Sequence, residues 1–272
     1  MTQFYDVAEK ITLVEEGYVK SLLYLAEQYT EGSTKVPVTL FTKEGNKPNY
    51  FINSLKKVFA EFDIPVLTTE FNGFADEGTI INTINNTLGA YVYVRTNETR
   101  QQLNTLSTFA KPNGDIDCIS YQALNNHALP SVVIATLKII EHFNKDLLKL
   151  DGKTVLIVNR SAYVGQPLQY ALMRNGATTI MCNSSTPVDV LTALIEQQHA
   201  DIVIWATGDN KIGDNFTYTK NQLVIDLAQG DLAEPKGDAV FCKVPGRLTA
   251  LSLVESYVNS LSLGEPLTQE QK

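Results

Sequence analysis

The chain has 272 residues, 44% of them hydrophobic, and a formal net charge of −8. That length accommodates two domains of ordinary size, each with its own core. The negative balance argues against nucleic acid or an anionic membrane as the main partner, because phosphate binding over a broad surface needs positive potential. Cys118, Cys182 and Cys242 are odd in number and form no C-x-x-C pair, so they read as buried thiols, with neither a disulfide framework nor a zinc site. No basic segment leads into a long apolar run near the N-terminus, and nowhere do eighteen apolar residues follow one another. The expectation is a reducing, cytoplasmic location.

Apolar residues recur at helical spacing from Val7 to Tyr29 (Val7, Ile11, Val14, Tyr18, Leu22, Leu25, Ala26), and Glu31-Gly32-Ser33 ends the pattern. Pro37–Thr42 alternates as a strand, and Lys43–Asn49 is a polar loop. Tyr50–Phe62 returns to helical spacing, Pro65–Thr68 is a second strand, Asp76–Thr87 a helix and Ala90–Val94 a third strand. This alternation predicts a parallel sheet with covering helices. Ser131–Asn144 is a long apolar helix, begun after Pro130, that links to the second half.

From Thr154 the rhythm is regular. Strands are expected at 154–158, 178–182, 201–206 and 222–227, with helices at about 164–174, 187–198 and 249–261. The stretch Lys153–Leu168 organises this half: a β-branched strand breaks at Asn159-Arg160-Ser161, and a helix starts near Val164-Gly165. Such a join offers backbone N–H groups at a helix start to an anion. Arg160 and Ser161 add a fixed charge and a hydroxyl suited to a phosphate monoester. The general dinucleotide fingerprint G-x-G-x-x-G is missing, since Gly165 alone stands in the turn.

Asn159-Arg160-Ser161-Ala162-Tyr163-Val164-Gly165-Gln166-Pro167 resembles the G-R-S-x-x-V-G-x-P turn of the methylenetetrahydrofolate dehydrogenase/cyclohydrolase family, with Asn159 in place of the first glycine. The resemblance continues through Asn175-Gly176-Ala177-Thr178, Cys182-Asn183-Ser184-Ser185-Thr186, Ala200-Asp201-Ile202, Ala206-Thr207-Gly208, Val224-Ile225-Asp226 and Lys243-Val244-Pro245-Gly246. It implies two α/β domains: residues 1–122 with the linking helix 131–144 and a final helix 249–261 packing back, and a Rossmann-like domain at 145–248. It also implies NADP, ahead of NAD, held by Asn159, Arg160, Ser161, Val164, Gly165 and Ser184, with Thr207, Gly208 and the turn after Asp226 toward the nicotinamide and Ser252 also in the cofactor-binding set. A folate substrate, a homodimer and oxidation of a methylene bridge followed by hydrolysis are implied in the same way.

The first half departs from that family. Its tyrosine and lysine stand four residues apart on a helix, whereas here Lys56 lies six residues from Tyr50. Six residues turn a helix by about 240° net. Counting without gaps puts Leu55 at the lysine position and Phe51 at the tyrosine; anchoring on Tyr50 puts Ser54 there instead. Lys56 and Tyr50 stay the nearest catalytic candidates, with a solvated helix lysine as the competing reading. The substrate-lining glutamine has no counterpart, Tyr93 taking its approximate place. Asp115-Ile116-Asp117 resembles the family's D-V-D turn, so Asp117 is the pterin-binding candidate, and Arg247 replaces a glycine after Gly246. His127, His142 and His199 show no metal-ligand spacing. Hydride transfer asks mainly for positioning, and hydrolysis for a placed proton donor, so these departures weigh on the hydrolytic step. The alternative is a repurposed paralogue that binds a nucleotide and a different ligand. A shikimate-dehydrogenase-like reading lacks that family's lysine/aspartate pair.

Overall fold

The computed structural model describes residues 12, 14–26, 36–44, 50–95, 98–125, 128–144, 149–208, 211–228, 230–244 and 246–262. Val7, Ile11, Tyr29, the 31–33 break, His127, Pro245 and most of the 43–49 loop lie outside them. The chain divides into two compact units, one containing Val132–Pro245 and the other Gly17–Ser131 with Gly246–Lys272. Both are α/β.

In the unit built from the first half, β1 (Val38–Lys43) lies between β2 (Val66–Phe71) and β3 (Tyr91–Val94), all parallel. The register pairs Thr39 with both Leu67 and Tyr91. β3 is buried throughout, which is why it reads as an unbroken apolar run and not as an alternation. Residues 14–26 form helix α1, of which residues 17–26 fall in this unit, and α2 (Tyr50–Glu61) follows β1. Ile52, Leu55, Val58 and Phe59 are buried at the spacing that keeps one helix face inward. α3 (Glu77–Asn86) starts at Asp76, whose carboxylate accepts from the Thr79 N–H. α4 (Arg100–Phe109) has a reciprocal capping box of Thr99 and Gln102. α5 (Tyr121–Asn125) is a short turn of helix.

The other unit holds α6 (Ser131–Asn144), which beyond Ser131 clusters here and not with the first-half unit as the sequence suggested. Val133, Ala135, Ile139 and Ile140 are buried, so this helix belongs to a core and is not a bare connector. A five-stranded parallel sheet follows, built from β4 (Thr154–Val158), β5 (Thr178–Cys182), β6 (Ile202–Trp205), β8 (Leu223–Asp226) and β10 (Val240–Lys243). Its order is β10-β8-β6-β4-β5. α7 (Gly165–Arg174) and α8 (Val188–Glu196) make the crossovers, and β7 (Thr217–Tyr218) pairs with β9 (Lys236–Gly237). Trp205, fully buried, stacks on Phe216 and donates its indole N–H to the Tyr218 hydroxyl at 2.9 Å, which donates to the Gly213 carbonyl at 2.8 Å. Burying a side chain of that kind stabilises by about 1.5–3 kcal/mol, provided its polar atom keeps a partner. Cys118, Cys182 and Cys242 are all buried thiols, as expected. No described helix is long and apolar enough to cross a membrane.

α9 (Gly246–Ser262) returns to the first-half unit and packs on α2, with Phe59 and Tyr257 edge to face at 6.5 Å between centroids. The Tyr257 hydroxyl donates to the Val36 carbonyl at 2.7 Å, and Tyr18 donates to Glu255. Arg247 forms a two-pronged ion pair with Glu61, at 2.6 and 2.7 Å. Its charge is thus matched by a carboxylate of α2. The hydrogen bonds from Arg247 hold the Glu61 carboxyl below its ordinary value of 4.5. A depressed folded-state pKa adds stability above the unfolded value, and that stability disappears as pH falls through the folded one. Glu61→Gln should cost about 0.5 kcal/mol at neutral pH, the pair being partly exposed. Denaturant unfolding at pH 7 and at pH 3 should show that difference shrinking at the lower pH.

Candidate functional site

Parallel pairing brings every strand of the five-stranded sheet to the same edge. Val158 pairs with Cys182 on one side and Trp205 on the other, and Trp205 pairs with Asp226. Asn159, Asn183, Ala206 and Leu227 therefore begin the loops along this edge. The chain leaves β4 toward β5 and then crosses back to β6, so the direction of winding reverses between β4 and β6. A crevice at such a reversal is the usual ligand position in an open parallel sheet.

The β4–α7 turn is braced from within. Asn159 Oδ1 accepts from the Ser161 N–H at 2.8 Å and the Gly165 N–H at 3.1 Å, and Nδ2 donates to the Ala206 carbonyl at 2.6 Å. Ser161 Oγ accepts from the Val164 N–H at 3.1 Å, and its carbonyl accepts from Gln166 at 3.0 Å. Pro167 has no N–H, so the first turn of α7 has little left for an anion. This corrects the expectation of open donors at the helix start: the asparagine and serine already cap them. The donors of this turn without a partner among the described residues are one step earlier, the N–H groups of Arg160 and Ala162 and the exposed Arg160 guanidinium. Gly165 is required for space, because a Cβ there would come within 2.3 Å of the Asn159 carbonyl oxygen.

Beside it, the loop after β5 is shaped by Asn183, whose Oδ1 accepts from Ser185 at 2.8 Å and whose N–H donates to Thr186 Oγ1 at 3.0 Å. Ser184 is left exposed. Residues 183–187 carry no carboxylate, the group that would hold a ribose diol at this position. A guanidinium next to exposed hydroxyls instead suits a phosphate.

After β6, Thr207 is clasped by the buried Asp231, its N–H donating at 2.8 Å and its hydroxyl at 2.6 Å. The motifs point to Thr207 and to the turn after Asp226; within that turn nothing local marks Asp231 as the carboxylate partner. Gly208 has φ +70° with open space around it, so it serves the backbone's sign and not a close contact. Ser252 is fully buried on α9, and its hydroxyl donates to the Leu248 carbonyl at 3.0 Å.

In the first-half unit, Lys56 is exposed while Leu55 beside it is fully buried. Tyr50 opens α2, and its side chain lies outside the described residues. Tyr93 is buried, its hydroxyl donating to Glu98 Oε1 at 2.8 Å, and burial followed by that carboxylate raises its pKa. Asp117 accepts from the Ser131 N–H at 2.9 Å, and burial raises its pKa although that bond opposes the shift. The carboxyl of Asp115, also buried, accepts from Ile119 and Ser120 N–H groups at 3.2 and 2.7 Å. The structure therefore gives both aspartates of the D-I-D turn a part in holding the loop.

Residues 130–261 match the family model described as the tetrahydrofolate dehydrogenase/cyclohydrolase NAD(P)-binding domain. This half of the chain is thus similar to the NAD(P)-binding domain of the tetrahydrofolate dehydrogenase/cyclohydrolase family. The bifunctional protein FolD of Clostridium botulinum is 28% identical over 171 residues, which span 58% of this chain and 57% of that relative. FolD 1 of Desulfitobacterium hafniense is 24% identical over 278 residues, covering 96% of this chain and 95% of its own. Among solved structures, the NAD-dependent 5,10-methylenetetrahydrofolate dehydrogenase of Saccharomyces cerevisiae superposes with a TM-score of 0.76 at 17% identity, covering 94% of this chain and 97% of its own. That likeness establishes the fold.

Burial pushes the Asp115 carboxyl up to about 7 from an ordinary 3.8. The folded state then holds this proton more tightly than the unfolded one, so stability falls as pH rises from about 4 to 7. Asp115→Asn should lose about 1–3 kcal/mol, because Ile119 and Ser120 donate to different carboxylate oxygens and the amide NH2 would face one of those N–H groups. Chemical denaturation across that pH range should also show the Asp115-dependent decline removed.

Proposed function

We propose that this protein is an NADP-dependent dehydrogenase acting on a methylene-bridged tetrahydrofolate, without an efficient hydrolytic step. The carrying observation is Arg160. Its guanidinium has no ionic partner among the described residues and stands at the switch-point edge, beside a carboxylate-free loop containing Ser184. The family match over this half supports a dinucleotide there. Arg160 and Ser161, with Ser184 opposite, would hold the 2′-phosphate. Val164 and Gly165 would support the turn, and Thr207 with Gly208 would lie toward the nicotinamide, which supplies hydride acceptance. Asp231 keeps Thr207 in one orientation. Asp117 remains the residue proposed to meet the pterin edge. The family lysine position falls on the buried Leu55 when counted without gaps, or on Ser54 when anchored on Tyr50, and Lys56 is exposed, which favours transfer of hydride over hydrolysis. The native assembly is proposed to be a homodimer in the cytoplasm.

The same departures at Leu55 and Tyr93 favour a second reading, a family member that binds the dinucleotide but turns over no folate. Methenyl-folate absorbance after mixing purified protein with methylenetetrahydrofolate and NADP separates the two; its absence with both NADP and NAD would reject the dehydrogenase. Arg160→Ala should weaken NADPH about 10- to 100-fold, the loss of a charged phosphate contact. NADH should change by less than about two-fold, since it has no 2′-phosphate for Arg160 to meet. Equal losses for both cofactors in fluorescence titrations would count against Arg160 as the phosphate selector.

A further inference from the structure

A dinucleotide-binding turn generally opens on a glycine, which lets the backbone approach a pyrophosphate closely. This chain has Asn159, and its carboxamide reaches across the crevice between β4 and β6 to the Ala206 carbonyl, 2.6 Å from Nδ2. The same side chain takes up the Ser161 and Gly165 N–H groups, at 2.8 and 3.1 Å. Gly165 N is the first donor of α7, where the helix dipole most favours a negative charge. A pyrophosphate arriving here meets a donor already satisfied by a neutral oxygen. One residue along, Arg160 presents its guanidinium and its N–H with no partner among the described residues.

We propose that Asn159 is a specificity-determining residue: it withdraws the helix-start donors from the pyrophosphate and leaves recognition to the 2′-phosphate end, where Arg160 stands. The proposal rests on the dinucleotide reading above. Asn159→Ala removes all three bonds while keeping an ordinary backbone, and returns the Ser161 and Gly165 donors to the crevice. NADH, which depends on its pyrophosphate, should bind about ten-fold tighter to N159A, the equivalent of one hydrogen bond to a charged group. NADPH should gain less, so the preference for it falls. Asn159→Asp keeps the accepting oxygen but puts a charged oxygen against Ala206. Both cofactors should bind it more weakly, with the NADPH preference within about two-fold of the unaltered protein, because its donors stay occupied.

The measurement is cofactor fluorescence titration of the full chain with NADPH and with NADH, each variant first checked for native circular dichroism. If N159A does not fold, Asn159→Ser is used, whose short hydroxyl cannot span the crevice and leaves at least one donor open. A preference that falls in N159A or N159S and holds in N159D supports the proposal. Equal weakening of both cofactors in N159A, an unchanged preference, or the same fall in N159D overturns it and leaves Asn159 a brace. Failure of the unaltered protein to bind either cofactor instead overturns the dinucleotide reading itself.

Discussion

Parallel strand pairing is the constraint from which the site follows. Each strand of a parallel sheet must be fed by a crossover, so all strands end on the same edge and the loops that follow converge there. In the C-terminal unit that edge collects Asn159, Asn183, Ala206 and the turn after Asp226, although they are spread over about seventy positions of chain. Reversal of winding at β4 opens the crevice, and the side chains that leave the strand ends give it its chemistry.

Short polar side chains hold the loops along this edge. Asn159 pins the turn after β4, Asn183 the turn after β5, and Asp231 the segment after β6. Each satisfies backbone groups that would otherwise be left without partners where the strands run out. A similar arrangement holds the loop after β3 in the other unit, where Asp115 and Asp117 accept backbone N–H groups. Organising a loop and binding a ligand draw on the same donors and acceptors. A polar residue recognised from a motif is therefore as open to being a brace as a contact, and Thr207 shows how completely the first role can occupy a side chain.

Much of the architecture was legible from the pattern of side chains. β4 and β5 occupy the predicted residues, because apolar runs between turn signals mark strands buried in a parallel sheet. The helix 131–144 was also legible, as fourteen residues of unbroken helical spacing after a proline. α4 is hard to see because its apolar face is thin, although its Thr99-x-x-Gln102 capping box is a readable signal. β10 is a four-residue strand with no alternation to separate it from a loop. Arg247 stands in the sequence only as a replacement for a glycine, because Glu61, its partner, is 186 positions away.

By itself, the sequence determined the α/β class, the strand-turn-helix at 153–168 and the family of the C-terminal half, since these rest on local periodicity and short contiguous motifs. Tertiary structure decided which of the polar residues are available. Ser252 turned out to be buried on α9 with its hydroxyl bonded to Leu248, the helix-start donors of α7 to be capped by Asn159, and Arg160 and Ser184 to be exposed. Availability depends on partners brought together from distant parts of the chain, as Ala206 is brought to Asn159 by the pairing of β4 with β6, and spacing along the chain carries no record of them.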